Sequence, residues 1–367
     1  MTSGPIRALG LMSGTSMDGI DAAIIESDGE AIDRFGATDY QPYGDSDRDL
    51  LRRAMDEARH LNRRDARPGV LREAEDRVTE RHIALVRRML ETAGPVDLIG
   101  FHGQTVFHAP DHGLTVQIGD GQKLADAVGI PVIYDMRARD VERGGQGAPL
   151  VPVFHRALAQ RLGLPMPLAV VNIGGVANAT WIGADGALAA CDTGPGNALM
   201  NDWVKRHTGA DFDADGLLAG RGRVDGAALD ALMNNPYFSR PWPKSLDRDA
   251  FSLQPVLGLA LEDGVATLAA FTAKTLAAGL RGFARMPEQV VIAGGGARNP
   301  VLVDMLRAEL SIPVTTMDRH GLEADFIEAQ AFAYCAIRSS RSLAITFPGT
   351  TGVQAPAMGG IRAEPAR

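Results

Sequence analysis

Gly10-Leu11-Met12-Ser13-Gly14-Thr15-Ser16-Met17-Asp18-Gly19-Ile20-Asp21 joins an apolar run, Ile6 to Leu11, to a second one, Ile20 to Ile25. Two such runs linked by Gly, Ser and Thr predict a β-hairpin whose turn presents several backbone N–H groups, a geometry suited to wrapping a polyphosphate. Taken alone, the segment also fits an ordinary N-terminal hairpin with a polar turn.

The plan of apolar strand, glycine turn and second strand returns downstream in Leu168-Ala169-Val170-Val171-Asn172-Ile173-Gly174-Gly175-Val176-Ala177-Asn178-Ala179-Thr180-Trp181-Ile182. Further on, Val290-Val291-Ile292-Ala293-Gly294-Gly295-Gly296-Ala297-Arg298-Asn299-Pro300 reads as a buried strand, a triple-glycine turn and the start of a helix through Leu310. This order of elements resembles the phosphate-1, phosphate-2 and adenosine segments of the actin, hexokinase and heat-shock ATPase superfamily. The fold class that follows is α/β, a two-lobed actin-like ATPase (ribonuclease H-like) architecture with a nucleotide cleft between lobes that close on it.

Within that superfamily the wording of the first hairpin, together with Phe101-His102-Gly103-Gln104-Thr105, Gly144-Gly145-Gln146-Gly147-Ala148-Pro149 and Asp192-Thr193-Gly194-Pro195-Gly196-Asn197, resembles the anhydro-N-acetylmuramic acid kinases. The resemblance implies ATP with Mg²⁺ as cofactor, and an amino sugar whose 1,6-anhydro ring is opened by water while its O6 is phosphorylated. It also implies a homodimer. By the same resemblance Asp192 is the catalytic base. The nucleotide would be held by Gly14, Thr15, Ser16, Met17, Asp18, Gly19, Ile20, Asp21, Gly174, Gly175, Asn178, Gly294, Gly295, Gly296 and Asn299.

For the sugar, His102, Gln104, Asp120, Arg137 and Glu328 are the candidates, and Arg137 is the first choice for the lactyl carboxylate. Asp120 also reads as a helix cap, and Glu328 as an ordinary surface residue of its helix. No protein-only metal site is expected: His102, His108 and His112 lack a zinc motif, and Asp211 to Gly216 lacks the closing Glu of a calcium loop. The superfamily's hairpin aspartates are replaced here by Met12 and Asn172, so Mg²⁺ is left to Asp18, Asp21 or Asp192 through water. Leu246, Asp247 and Asp249 depart from the family pattern around Lys244 to Phe251.

The 367 residues exceed what one core usually supports, and the expected division is residues 1–135 with the tail 346–367 against residues 136–345. The loop 135–149 and the apolar helix after it form the candidate crossing. A net charge of -8 argues against a nucleic-acid partner. Two cysteines without a pairing framework suit a reducing compartment, and no run reaches the length of a membrane span, so a cytoplasmic protein is expected.

Helices are predicted at 45–61, 68–92, 120–128, 150–162, 198–207, 226–233, 259–284 and 323–339, the second with a solvated charged face. A strand over 97–101 should place His102, Gly103 and Gln104 just past its carboxyl end, and a strand over 186–191 should do the same for Asp192. Two rival readings share these features: another sugar or short-chain acid kinase on the same fold, and a nucleotide-gated sensor without chemistry.

Overall fold

In the computed structural model β1 (Ile6–Ser13) and β2 (Gly19–Ser27) pair antiparallel, with Leu9 opposite Ile24 and Met12 opposite Asp21. The structure describes residues 4–14, 17–240, 242–246 and 250–366, so Thr15 and Ser16 of the turn and Asp247 to Asp249 lie outside the described residues. The chain continues through β3 (Ile32–Pro42), α1 (Asp45–Ala58), α2 (Leu71–Ala93), β4 (Leu98–Ala109) and β5 (Leu114–Ile118). Then come α3 (Gly121–Val128), β6 (Val132–Tyr134), α4 (Ala138–Glu142) and α5 (Pro152–Arg161).

A second set opens with β7 (Leu168–Ile173), β8 (Ala177–Ile182), β9 (Leu188–Gly194), α6 (Ala198–Thr208), α7 (Gly226–Met233) and α8 (Leu261–Arg281). It closes with β10 (Gln289–Ala293), α9 (Pro300–Glu309) and β11 (Val314–Thr316). The chain then returns through α10 (Ile327–Ser340), α11 (Pro348–Thr351) and β12 (Ile361–Ala363).

Two units result: residues 1–163 with 326–367, and residues 164–325. In the first, the sheet order is β12-β6-β4-β1-β2-β3 with β5 attached to β4; in the second it is β11-β10-β7-β8-β9. Each sheet is built alike. Its first three strands form an antiparallel meander, and two later strands add parallel to the first strand and to each other. The parallel strands β1, β4, β7 and β10 are buried on both faces, hence their near-continuous apolar sequences.

The division differs from the expected 135 and 345, and packing gives the reason. Gly10 and Gly100 stand side by side on β1 and β4, and α10 lies directly on them. A Cβ at Gly10 would sit 1.8 Å from the Ala329 carbonyl oxygen, and one at Gly100 would sit 2.2 Å from that of Phe332. Only glycine at both positions admits the helix backbone this close, so α10 belongs to the first sheet. Helix α5 joins it there, with the Leu150 carbonyl accepting from Cys335 Sγ at 3.7 Å. The tail also stays with this unit, since β12 pairs antiparallel with β6.

In the second unit α8 runs through the core with apolar residues buried around most of its circumference, including Val265, Leu268, Phe271, Leu276 and Leu280. Among the described residues no helix is long and apolar enough to cross a membrane. Both cysteines are buried and unpaired, and burial pushes the Cys335 thiol up to about 12.

The charged face of α2 is less solvated than its sequence suggests. Glu75 is buried against Arg67 (2.8 Å), and the fully buried Asp47 of α1 receives Arg77 and Arg81 at 2.8 and 2.9 Å.

Candidate active site

In the first unit, β4 does not stop at Phe101. Its pairing with β1 shifts register between Leu11 and Ser13, and the strand runs on to Ala109 as the partner of β5. His102, Gly103 and Gln104 therefore occupy an irregularity inside a strand instead of a loop beyond its end. A bulge of this kind re-aims side chains, and Gly103 takes it with φ +71°.

Gln104 turns toward the first hairpin. Its Nε2 donates to the Gly14 carbonyl at 3.0 Å and its Oε1 accepts from Ser13 Oγ. The turn is tightened further by Met17 N–H to Gly14 O (3.1 Å) with Met17 in a left-handed conformation, φ 55°. Met17 and Ile20 bury their side chains in the core. Asp18 is exposed and Asp21 is partly exposed. Asp18 Oδ1 accepts the Gly19 N–H at 2.9 Å.

His102 is buried, with Nδ1 2.7 Å from the Gly103 carbonyl. Its Nε2 faces the guanidinium of Arg137, which donates through Nε (3.1 Å) and Nη2 (3.0 Å). Arg137 reaches this point because β4 and β6 run parallel with Phe101 opposite Tyr134, which places the two strand exits side by side. Its Nη1 donates to Gly147 O at 2.9 Å. Phe332 of α10 packs on the His102 ring (4.6 Å between centroids) and under the Arg137 guanidinium (5.9 Å).

One turn earlier on α10, Glu328 is half-buried. Loss of hydration raises its carboxyl above the usual range; the charge of Arg137 opposes the rise and that of Asp18 adds to it. Loss of hydration, then the Arg137 charge, hold His102 well below the ordinary imidazole value. The structure thus gathers His102, Arg137, Glu328 and Asp18 into one electrostatic neighbourhood. Asp120 stands apart as the N-cap of α3, its Oδ1 accepting from Lys123 N at 2.9 Å.

The Gly144–Pro149 loop is pinned by Asp140, to which the sequence assigns no role. Its Oδ2 accepts Gly147 N–H (2.7 Å) and its Oδ1 accepts from Thr351 Oγ1 (2.8 Å).

In the second unit, Asp192 lies within β9, which continues through Gly194, and it stands opposite Asn178 of β8. The extra residues come from ladder pairing with β8 that continues as far as Ala177 opposite Gly194. Asp192 is 8% exposed, and its Oδ2 accepts Leu246 N–H at 2.8 Å. Its own N–H donates to Lys244 O (3.1 Å), and its carbonyl accepts from Tyr237 Oη at 2.6 Å. Lys244 is anchored in turn, Nζ donating to Tyr237 O at 3.0 Å above the Tyr237 ring.

Sequence reading does not single out Tyr237, and it marks Lys244 to Phe251 only as a segment that departs from the family pattern, not as a source of backbone contacts to Asp192. For Tyr237 the sequence signal was Asn235-Pro236, a cap and first turn that set it in place. Across from Asp192, Asn178 Oδ1 is buried without a hydrogen-bond partner among the described residues.

The turn of the second hairpin rests on the Pro195–Asn197 loop: Asn197 N–H donates to Gly174 O (2.8 Å) and Asn197 Nδ2 to Ile173 O (3.1 Å). The glycines divide by role. A Cβ on Gly294 (φ +77°) would meet Asn172 Oδ1 at 2.2 Å, and one on Gly296 would meet Ile173 at 2.4 Å. A Cβ on Gly175 would have nothing within 4 Å, and one on Gly295 only Asn197 Nδ2 at 4.0 Å. Gly294 and Gly296 are thus required by the protein's own packing, whereas Gly175 and Gly295 open outward. Asn299 caps α9, accepting from Leu302 N at 3.1 Å.

Two sheets of one repeated strand order, each carrying a glycine-turned hairpin, define the actin-like ATPase fold of the ribonuclease H-like type. The anhydro-N-acetylmuramic acid kinase family model matches residues 6–363. Anhydro-N-acetylmuramic acid kinase of Methylobacterium nodulans is 52% identical over 374 residues, covering 98% of this chain and 100% of the relative. That of Nitrobacter winogradskyi is 50% identical over 365 residues, with the same shares covered. Among solved structures, component A of (R)-2-hydroxyglutaryl-CoA dehydratase from Acidaminococcus fermentans overlays with a TM-score of 0.47 at 14% identity, covering 92% of this chain and 99% of that one. The chain belongs to the anhydro-N-acetylmuramic acid kinase family.

Proposed function

We propose that this protein opens the 1,6-anhydro ring of 1,6-anhydro-N-acetylmuramic acid with water and phosphorylates O6 from ATP, releasing ADP and N-acetylmuramic acid 6-phosphate. The match over residues 6–363 carries the reading. In the reaction a water oxygen bonds to C1 as the C1–O6 bond breaks. O6 takes the γ-phosphoryl group, and the water proton goes to a base.

Asp192 is that base: it is nearly buried, and its carboxylate is held in a fixed position by Leu246 N–H. Asn178, with its buried acceptor directly opposite, suits a donor group of the reacting ligands. Gly14 to Asp21 serve the phosphates in the first unit, with the backbone contributing wherever side chains are buried. Gly174 and Gly175 serve them in the second, and Gly295 gives adenosine its approach beside Gly294 and Gly296. Asn299 supports that turn as a cap.

Arg137 binds the lactyl carboxylate, and Glu328, beside it, accepts from sugar hydroxyls. Gln104 fixes the first hairpin, and Asp120 lends the sugar only what its cap leaves over. The donor set fits Mg²⁺: the carboxylates of Asp18, exposed, and Asp21, partly exposed, on the phosphate hairpin would hold the ion through water, and it would neutralise phosphate charge. A homodimer in the cytoplasm, without nucleic-acid or membrane partners, completes the reading.

The test is ADP release across a panel of amino sugars, with the product analysed after reaction in ¹⁸O-water. Label at C1 and none in the 6-phosphate bridge is expected. Preference for another sugar, or label in the bridge, would overturn the assignment in favour of a kinase for an ordinary hydroxyl. ATP binding without turnover of any sugar would favour a sensor.

A further inference from the structure

We infer that His102 is a positioning residue: its imidazole sets the direction of the Arg137 guanidinium and, through it, the binding of the sugar's lactyl carboxylate. The inference rests on the reading of Arg137 given above. Both ring nitrogens of His102 are engaged by the protein, Nδ1 with the Gly103 carbonyl at 2.7 Å and Nε2 with Arg137 at 3.0 and 3.1 Å. An arginine only donates, so Nε2 must be the bare acceptor and Nδ1 must carry the hydrogen. That tautomer leaves His102 no proton for the sugar and no lone pair to receive one. Its contribution passes through Arg137.

The arrangement is held from several sides. The register shift in β4 sets the ring's direction, Phe332 packs on its face, and the same phenyl ring lies beneath the guanidinium. Gly147 O takes a third guanidinium contact at 2.9 Å. A long flexible side chain fixed in this way has lost its rotamer freedom before the ligand arrives, which favours binding. The competing attraction is also present. Glu328, on α10 one turn before Phe332, feels the Arg137 charge, and without the imidazole the guanidinium is drawn toward that carboxylate.

The experiment measures binding of two probes by calorimetry, 1,6-anhydro-N-acetylmuramic acid and its lactyl methyl ester, which keeps the shape but loses the charge. Arg137→Ala tests the underlying reading and should weaken the acid at least tenfold more than the ester. His102→Ala should weaken the acid by about tenfold and the ester by less than about twofold, the scale of one charged hydrogen bond. His102→Gln restores an acceptor near the Nε2 position and should recover most of the loss, a readout that a packing role alone would not give. Equal losses for acid and ester in both His102 variants, with Arg137→Ala still selective, would overturn the positioning role alone. A non-selective Arg137→Ala would instead remove the carboxylate assignment, and the role of His102 with it.

Discussion

Asp192 and Leu246 are joined by a backbone N–H that points at the carboxylate from 2.8 Å, so one oxygen of the proposed base is fixed by the chain itself. Asn at position 192 keeps a carbonyl oxygen for that N–H but removes the basicity. Asp192→Asn should therefore fold normally and bind ATP with little change, while kcat falls by about 10²- to 10⁴-fold. Steady-state kinetics beside a nucleotide titration measure both, and near-normal kcat would exclude Asp192 as the base.

Tyr237 holds the same residue through its backbone, its hydroxyl 2.6 Å from the Asp192 carbonyl. Tyr237→Phe removes one hydrogen bond and little volume. We expect kcat to fall by roughly three- to tenfold, in keeping with about 1 kcal/mol for such a bond, and KM for ATP to stay within about twofold. A rise in KM with unchanged kcat would mean that the hydroxyl serves binding and not the placement of the carboxylate.

The glycine turn after β10 separates stability from binding. Gly294→Ala forces a Cβ into a left-handed backbone and against Asn172, and should cost about 1–3 kcal/mol of stability. Gly295→Ala meets no close protein atom, so its stability should stay within about 0.5 kcal/mol while ATP binds roughly tenfold more weakly. Thermal unfolding with ATP calorimetry on both variants decides this; equal ATP affinity for Gly295→Ala and the parent would remove the adenosine from that turn.

Acid should weaken the first unit. His82, His102 and His155 all lie in it and are buried, and loss of hydration holds them below the ordinary imidazole value, His82 at about 4 and His155 at about 3. The unfolded chain takes up these protons near pH 6.5 and the folded one does not, so stability is full above that pH and falls as the pH drops toward the folded values. Each histidine contributes a slope of up to about 1.4 kcal/mol per pH unit in that window. Urea unfolding at pH 7, 6 and 5 should show the decline, with a shallower slope in His82→Gln. A flat profile would show that the rings are already open to protons.

Much of this was legible in the sequence because it is local. The strand–glycine–strand pattern specified both hairpins, and an Asp cap marked α3 at Asp120. Strand ends were not legible. His102 and Asp192 lie inside strands because their hairpin neighbours, β5 and β8, extend the ladders past the apolar runs. The anchoring of Asp192 by Tyr237 and Leu246 was hidden by distance along the chain: 45 and 54 residues separate the partners, and the key atoms are backbone. The unit boundaries escaped because a glycine pair and a helix more than two hundred residues away have no shared periodicity.

The seat of α10 on Gly10 and Gly100 also sets an order of events during synthesis. The second unit is one unbroken stretch, Leu164–Asp325, and all its strands are synthesised before α10. The first sheet must wait with that face uncovered while the whole of the second unit is translated, because the helix that shields it begins only at Ile327. The unit translated last to completion is thus the one whose first strand emerged earliest, and its bare face during that interval is where a nascent chain of this family is most exposed to aggregation.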